Sequence, residues 1–236
     1  MRVATGVPGF DELVDGGLLT DRLYIVSGPP GSGKTTFASQ FVTKGAIDGQ
    51  TSLFLSLHET KKELVEDMSN YEFGFDKAVS SGRVKFLNVF ESEAKRLLAP
   101  SSRSGGDFPD NVENMTNQIV SFIENKDIDR LVIDSAMLLE YYFSDDLDDF
   151  IKFLTALKRA DATALVISEM TDPTSYSDEH YLAHGVFFMH NYLEEGGMQR
   201  GVQIIKMRGT KIDSNIHAAR FSDRGLRVDP SATIGD

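Results

Sequence analysis

Cysteine is absent from this sequence of 236 residues, and its absence excludes several kinds of site. Without thiols the chain has no disulfide framework, no thiol nucleophile and no cysteine-based metal site. No stretch approaches about 18 uninterrupted apolar residues, so we expect no membrane-spanning helix. The first ten residues, MRVATGVPGF, lack the apolar core of a signal peptide. Together these features predict a cytoplasmic protein.

Positive charge is also scarce in this chain. Lys and Arg number 24 against 36 Asp and Glu, which gives a formal net charge of −12. A chain this acidic gains little from general attraction to phosphate backbones, the usual basis of DNA binding. The composition therefore weighs against nucleic acid as a partner, although a nucleic-acid-binding role is kept below as an alternative.

Apolar, β-rich runs alternate with helical patterns through the first two-thirds of the chain. Residues 60–63 (TKKE) form a capping box that begins one of these helices, and residues 100–111 are typical of a surface loop. The alternation predicts an α/β fold with a mostly parallel sheet and right-handed crossovers. Strands are predicted at residues 22–27, 51–57, 84–90, 130–134 and 163–168.

The last third of the chain has a different pattern, with short strands and little helix between them. These strands are predicted at residues 186–192, 201–207, 217–221 and 226–228. We expect them to form antiparallel strands added to one edge of the sheet. Since neither a second core nor an internal repeat is recognised, residues 1–236 are predicted to form one domain.

A glycine-rich segment directly follows the first predicted strand. Residues 28–35, GPPGSGKT, match the pattern G-x-x-x-x-G-K-[ST], and a helix is predicted to begin at the lysine. Its glycines permit turns that a Cβ would obstruct, so backbone amides can point at phosphate oxygens near a helix N-terminus. The predicted nucleotide-binding residues are Gly28, Pro30, Gly31, Ser32, Gly33, Lys34, Thr35 and Thr36.

Two residues are predicted to hold a magnesium ion beside the nucleotide. The Thr35 hydroxyl would ligate Mg²⁺, while Lys34 would reach the β- and γ-phosphates. Asp134 ends the apolar run Leu131-Val-Ile-Asp134, which places its carboxylate at the carboxyl edge of the sheet beside the loop. Asp134 would hold the ion through a water molecule. ATP and Mg²⁺ are therefore the predicted cofactors.

Motifs at both ends of the chain resemble the KaiC-like branch of the RecA superfamily. Residues 5–18 (TGVPGFDELVDGGL) resemble its opening segment, and residues 206–210 (KMRGT) and 221–226 (FSDRGL) resemble its tail. The resemblance covers essentially the whole chain. It implies a single-domain RecA-like P-loop ATPase that assembles into rings or filaments, often hexamers, with ATP held between subunits.

The same resemblance implies a catalytic role for Lys206 and Arg208. They lie two residues apart on a predicted strand, so their side chains are expected on one side of it. A basic pair on an edge strand is otherwise solvated or discourages edge pairing. In the family this strand end reaches the γ-phosphate bound by a neighbouring subunit, which is the role of an arginine finger supplied in trans.

The sequence departs from the family pattern after the second strand. There the family usually carries two consecutive acids, the first of which activates the attacking water, whereas this chain has His58 and Glu59. Glu59 is a second candidate for the catalytic acid, but neighbouring residues at a strand end tend to point to opposite faces, so it is not assumed to replace the missing one. His58 is either a general base, since its ordinary pKa of about 6.5 leaves it largely neutral, or a non-catalytic substitution.

Three histidines, His180, His184 and His190, lie near two acidic residues in the last third of the chain. Their spacing lacks the tight helical His pair of many metal sites. We therefore interpret them as structural or solvent-facing.

Three functions remain open at this point. The leading hypothesis is an ATP-dependent regulatory or signalling protein that hydrolyses ATP slowly, forms a homo-oligomer and binds a regulatory protein partner. The second is a recombinase paralogue that binds single-stranded DNA, against which weighs the absence of Lys and Arg from residues 171–183. The third is a nucleotide-binding scaffold without turnover, suggested by His58. Autophosphorylation also stays open.

Overall fold

A computed structural model describes residues 1–88, 112–137, 139, 147–194 and 196–234. The predicted loop at residues 100–111 and the end of the strand predicted at 84–90 lie outside these residues. The helices are α1 (Phe10–Leu13), α2 (Lys34–Ile47), α3 (Lys61–Met68), α4 (Phe75–Ser80), α5 (Val112–Asn125), α6 (Leu147–Leu157) and α7 (Asp178–Leu182). The strands are β1 (Arg2–Val3), β2 (Leu18–Leu19), β3 (Leu23–Ser27), β4 (Ser52–Ser56), β5 (Val84–Asn88), β6 (Arg130–Asp134), β7 (Thr163–Ser168), β8 (Gly185–Glu194), β9 (Gly197–Met207), β10 (Ile216–Ser222) and β11 (Gly225–Thr233).

Nine of these strands form one sheet in the order β11-β10-β9-β8-β3-β7-β6-β4-β5. The pairings from β5 through to β8 are parallel, and those among β8, β9, β10 and β11 are antiparallel. The predicted mostly parallel α/β sheet with antiparallel C-terminal strands is therefore confirmed.

The predicted antiparallel direction was wrong for the first strand of the tail, β8. Strand β8 pairs in parallel with β3, so the antiparallel part of the sheet begins only at β9. The chain between β7 and β8 contains the short helix α7 and returns to the amino edge, as a parallel connection requires. The hairpin strands β8 and β9 are also longer than predicted, because their outer halves continue with mostly half-buried and exposed residues beyond the core.

Helices cover both faces of the sheet. Strands β3, β6 and β7 are buried along their whole length, which explains their continuous apolar runs. One apolar cluster packs α2, α3 and α4 against one face, and a second packs α5 and α6 against the other. The predicted capping box of α3 is present, with the Thr60 hydroxyl accepting from the Glu63 amide. None of the described helices has the length and apolarity that crossing a membrane demands.

The strand order decides which residues meet at the carboxyl edge of the sheet. Strand β7 lies directly between β3, which leads into the glycine-rich loop, and β6, which ends at Asp134. Ser168 at the end of β7 pairs with Ser27 at the end of β3. Glu169 therefore emerges between the loop and Asp134.

Candidate functional site

The glycine-rich loop, residues 28–36, is called the phosphate loop below. Gly28, Gly31 and Gly33 all have positive φ angles, of 146°, 75° and 104°. A Cβ on Gly28 would lie 2.3 Å from the carbonyl oxygen of Met189, and one on Gly33 would lie 2.8 Å from the ring of Phe221. The loop thus adopts a backbone that L side chains disfavour, and it is packed closely against β8 and β10.

Lys34, the first residue of α2, folds back over this loop. Its Nζ donates to the carbonyl oxygens of Gly28 at 2.7 Å and Pro29 at 3.1 Å. The same atom lies 3.3 Å from the Glu169 carboxylate, and only 7% of the Lys34 side chain is exposed. The loop therefore holds a nearly buried cation, and its ion-pair partner among the described residues is Glu169, which directly follows β7.

Thr35 and Asp134 meet across the edge of the sheet, although they are 99 residues apart in sequence. The Thr35 hydroxyl donates to Asp134 Oδ2 at 2.8 Å. Asp134 is buried, and this burial raises the pKa of its carboxyl group, while His58, the Thr35 hydrogen bond and Lys34 lower it. Two oxygen ligands of the kind that a magnesium ion takes thus lie side by side.

These groups line a single cavity of about 330 Å³. Its volume falls within the ordinary range for small-molecule sites. Ser32, also in the phosphate loop, has a buried hydroxyl without a hydrogen-bond partner among the described residues. The lining residues are Pro30, Gly31, Gly33, Lys34, Thr35, Thr36, His58, Asp134, Glu169 and Phe221.

His58 and Glu59 are placed differently with respect to this cavity. His58 lines it, with Nδ1 4.0 Å from Asp134 Oδ1. Glu59 is not among the described residues that line it, and Ser56 holds its backbone through bonds to both the amide and the carbonyl oxygen. Burial raises the pKa of Glu59, and the nearby His58 opposes that rise. The two neighbouring side chains therefore diverge after β4.

Lys206 and Arg208 are not brought to the phosphate loop of their own chain. Strand β9 runs antiparallel to β8, so its end lies at the amino edge of the sheet, where Met207 pairs with Gly185. Lys206 Nζ donates to the carbonyl oxygens of His180 at 2.5 Å and Tyr181 at 3.2 Å, and Arg208 donates to the latter at 2.8 Å. Strand β9 ends at Met207, one residue before Arg208. Lys206 and Arg208 nevertheless both donate to the Tyr181 carbonyl oxygen.

Sequence reasoning missed four residues around the loop. Glu169 had a readable signal, since it directly follows a predicted strand that ends at the same edge as Asp134. Asn191 donates to the Pro30 carbonyl at 3.1 Å, and Arg200 donates to the Gly31 carbonyl at 3.1 Å. The Arg200 guanidinium also lies 5.2 Å from the centre of the Phe221 ring. These three contacts depend on how the C-terminal strands fold back over the loop, for which the sequence carries no local signal.

The three histidines take structural positions. His180 is buried, with Nε2 3.1 Å from the Ser27 hydroxyl and Nδ1 2.8 Å from the Ser177 hydroxyl. His190 Nε2 lies 3.0 Å from the side-chain oxygen of Gln203. Burial lowers the pKa of His180, His184 and His190. Within the described part of the chain, no group of three or more His, Cys, Asp and Glu residues could hold a metal ion.

Comparisons with known proteins place this geometry in a family. The sequence model of the ATPase family KaiC matches residues 3–233. The circadian clock protein KaiC3 of Synechocystis is 28% identical over 221 residues, which are 89% of this chain but 41% of that protein. The chain thus spans about two-fifths of KaiC3. A UPF0273 protein of Thermotoga maritima is 27% identical over 98% of this chain and 96% of its own length.

A solved structure has the same fold. The crystal structure of a KaiC-like protein from Pyrococcus horikoshii matches with a TM-score of 0.82 and 27% sequence identity. The match covers 98% of this chain and 99% of that one. The similarity therefore extends over the whole fold and is not restricted to the phosphate loop.

Proposed function

The chain belongs to the KaiC family of ATPases, and from that premise we propose that it binds and hydrolyses ATP at the phosphate loop. One observation carries the proposal: the Thr35 hydroxyl and the Asp134 carboxylate meet at 2.8 Å in the cavity that Lys34 also lines. A lysine, a hydroxyl and a carboxylate in one cavity at a helix N-terminus are the groups that a nucleotide triphosphate with its cation requires.

Phosphate binding would use the backbone of the loop together with Lys34. The N-terminus of α2 lines the cavity, where it presents the backbone amides of its first turn and the positive end of the helix dipole. The Lys34 ammonium group would give up its contacts with the loop carbonyls and Glu169 and would bind oxygens of the β- and γ-phosphates instead.

Thr35 and Asp134 fit a magnesium ion by the chemistry of their donors. A hydroxyl and a carboxylate are hard oxygen ligands, which Mg²⁺ accepts beside substrate phosphates and water. Their mutual hydrogen bond is a contact that binding of a cation would replace. When bound, the ion would neutralise part of the phosphate charge.

We further propose that ATP is shared between subunits of a homo-oligomer. Lys206 and Arg208 lie at the amino edge of the sheet, while the phosphate loop lies at the carboxyl edge. Arg208 is exposed and, among the described residues, donates to the Tyr181 carbonyl, so it can approach a site on a neighbouring copy. An arginine acting in this way would stabilise charge on the departing phosphoryl group.

A regulatory role is the physiological function we propose for this ATPase. The residue that faces the cavity after β4 is His58, where the family resemblance implies an acid, so turnover would be slow. A slowly hydrolysed nucleotide suits a protein whose bound state controls assembly and partner binding. Oligomeric state in solution, measured by light scattering with and without ATP and Mg²⁺, tests the assembly part.

The binding part is tested by substituting Lys34. Lys34→Ala removes the loop's own cation, and we expect ATP to bind about 100-fold more weakly, the scale of a lost charged hydrogen bond of about 3 kcal/mol. The measurement is titration with a fluorescent ATP analogue in the presence of Mg²⁺. Lys62→Ala, on the exposed face of α3, is the matched control and should bind as the wild type does. Equal affinity in both variants would contradict ATP binding at this loop.

A further inference from the structure

The position of Glu169 at the carboxyl edge is set by the strand order. Three parallel strands lie side by side there: β3 leads into the phosphate loop, β7 ends one residue before Glu169, and β6 ends at Asp134. Glu169 is therefore the first residue to emerge between the groups proposed for phosphate and for magnesium. Ligands of open α/β sheets bind at such positions, outside the carboxyl ends of the strands.

The contacts of Glu169 confirm that its side chain faces the cavity. Its carboxylate lies 3.3 Å from Lys34 Nζ, and the residue lines the cavity together with Asp134. About 32% of its side chain is exposed, so water can reach it. Glu169 is also close enough to Asp134 to contribute to the raised pKa of that carboxyl group. The cavity is thus lined by a second carboxylate beside that of Asp134.

The two residues after β4 present a histidine, and not a carboxylate, to the described lining of the cavity. Glu59 has a carboxylate but does not belong to the described lining of the cavity. His58 lines the cavity, but its Nδ1 faces the Asp134 carboxylate at 4.0 Å and its Nε2 faces Glu59 at 3.7 Å. Both ring nitrogens of His58 thus lie near carboxylates, at distances longer than a hydrogen bond. Of the described lining residues, only Asp134 and Glu169 have a carboxylate.

We propose that Glu169 is the general base of ATP hydrolysis at this site, an inference that rests on the proposed binding of ATP to the phosphate loop. The Glu169 carboxylate accepts a proton from the attacking water as the water oxygen bonds to the γ-phosphorus. The bond from that phosphorus to the β–γ bridging oxygen breaks, and its electron pair stays on ADP. The products are ADP and inorganic phosphate, and Glu169 later releases its proton to solvent.

The ion pair with Lys34 gives Glu169 a second, measurable property. Without ATP the two side chains neutralise each other at 3.3 Å, and triphosphate oxygens must compete with Glu169 for the Lys34 ammonium group. Binding of ATP therefore releases the carboxylate at the moment when a base is needed. Removing the charge of Glu169 should weaken this competition, so ATP should bind at least as tightly as in the wild type while hydrolysis falls.

Glu169→Gln tests this directly, because it keeps the size of the side chain and removes the basic oxygen. We expect a loss of hydrolysis of about 100-fold or more, the usual contribution of a positioned base. The affinity for a fluorescent ATP analogue should be equal or higher. Glu124→Gln, an exposed glutamate on α5, is the matched control and should hydrolyse ATP at the wild-type rate.

Glu169→Ala provides a second test that does not depend on how well glutamine fits the cavity. It should show the same loss, and added formate, a small carboxylate that fits the space left by the side chain, should restore part of the hydrolysis. A merely structural role for Glu169 would not respond to formate. Thermal unfolding of both variants checks that they fold.

Several outcomes would overturn the proposal. Hydrolysis by Glu169→Gln within a few-fold of the wild-type rate, or a large loss in Glu59→Gln alone, would assign the base elsewhere. A wild-type protein that binds ATP without hydrolysing it would also overturn it, while leaving the phosphate loop as the binding site. Failure of the wild type to bind ATP at all would instead overturn the proposed function on which this inference rests.

Discussion

A buried cation lies at each end of the parallel strands, at the carboxyl edge and at the amino edge of the sheet, and the two cations have different kinds of partner. At the carboxyl edge, Lys34 lies against a cavity and is paired with a partly exposed carboxylate, Glu169. At the amino edge, the first residue of β6, Arg130, is fully buried and bonded within the chain. Its Nη1 donates to the carbonyl oxygens of Ala4 and Phe41, each at 2.8 Å.

The surroundings of Arg130 show what a structural cation requires. Its guanidinium lies 4.6 Å from the centre of the Phe41 ring, and its Nε donates to Gln50 Oε1 at 2.7 Å. A Cβ on Gly45 would lie 2.7 Å from the Arg130 side chain, so α2 makes room for it only with glycine. Burial lowers the pKa of Arg130 to about 10. A cation bound to backbone carbonyls holds segments together, whereas one beside a cavity can exchange its partners.

Arg208 is the residue that tests this distinction most strongly, because it binds a carbonyl at the amino edge yet is exposed. If it acts on a neighbouring subunit, Arg208→Ala should lower the rate of ATP hydrolysis by roughly a thousandfold, the scale of an arginine finger. The affinity for ATP should change little. Steady-state hydrolysis and titration with a fluorescent analogue measure the two quantities, and an unchanged rate would make Arg208 structural, like Arg130.

Mixing Arg208→Ala with Lys34→Ala sharpens the same test. Each variant retains the half of a shared site that the other has lost, so some interfaces in a mixed oligomer would be complete. We expect partial recovery of hydrolysis on mixing. Absence of recovery in a mixture whose co-assembly has been demonstrated would argue against a site shared between subunits.

Arg130 should show the next largest effect, on stability and not on binding. Arg130→Met keeps much of the apolar contact but removes the hydrogen bonds to the carbonyl oxygens of Ala4 and Phe41 and to Gln50 Oε1, which should cost about 3 kcal/mol of the free energy of unfolding. Urea unfolding measures it. Arg220→Met, at an exposed position on β10, should change stability by less than about 0.5 kcal/mol. A similar small effect for Arg130→Met would contradict the structural role.

The smallest effect concerns pH and the histidines of the last third of the chain. Burial lowers the pKa of His180, His184 and His190 in the folded state, so protons bind more tightly to the unfolded chain. Stability should therefore be complete above the unfolded pKa of about 6.5 and should fall as the pH decreases below it.

Urea unfolding between about pH 7 and pH 5 measures this dependence. His180→Gln removes a titrating ring from the buried contacts with Ser27 and Ser177, and it should flatten the slope of stability against pH. A slope in this variant equal to that of the wild type would show that the acid sensitivity arises elsewhere. A general loss of stability in the variant would lower its free energy of unfolding equally at every pH and would leave the slope against pH unchanged.

Local patterns in the sequence predicted much of the fold. The run at β6, residues 130–134, was predicted with the bounds that the structure has, because a strand buried on both faces is continuously apolar. The tail was predicted less well. The first tail strand was expected to be antiparallel, but β8 is parallel to β3, since the direction of a strand depends on the connection before it and not on its own residues.

Within the candidate site, the sequence by itself determined the phosphate loop, its strand and its helix, because glycines, lysine and apolar runs are neighbours along the chain. Only the tertiary structure decided which distant groups meet that loop. Glu169 reaches Lys34 across 135 residues because β7 lies beside β3, and Lys206 lies at the other edge because β9 is antiparallel to β8. Strand order and strand direction arise from packing across the whole domain, so no local pattern carries them.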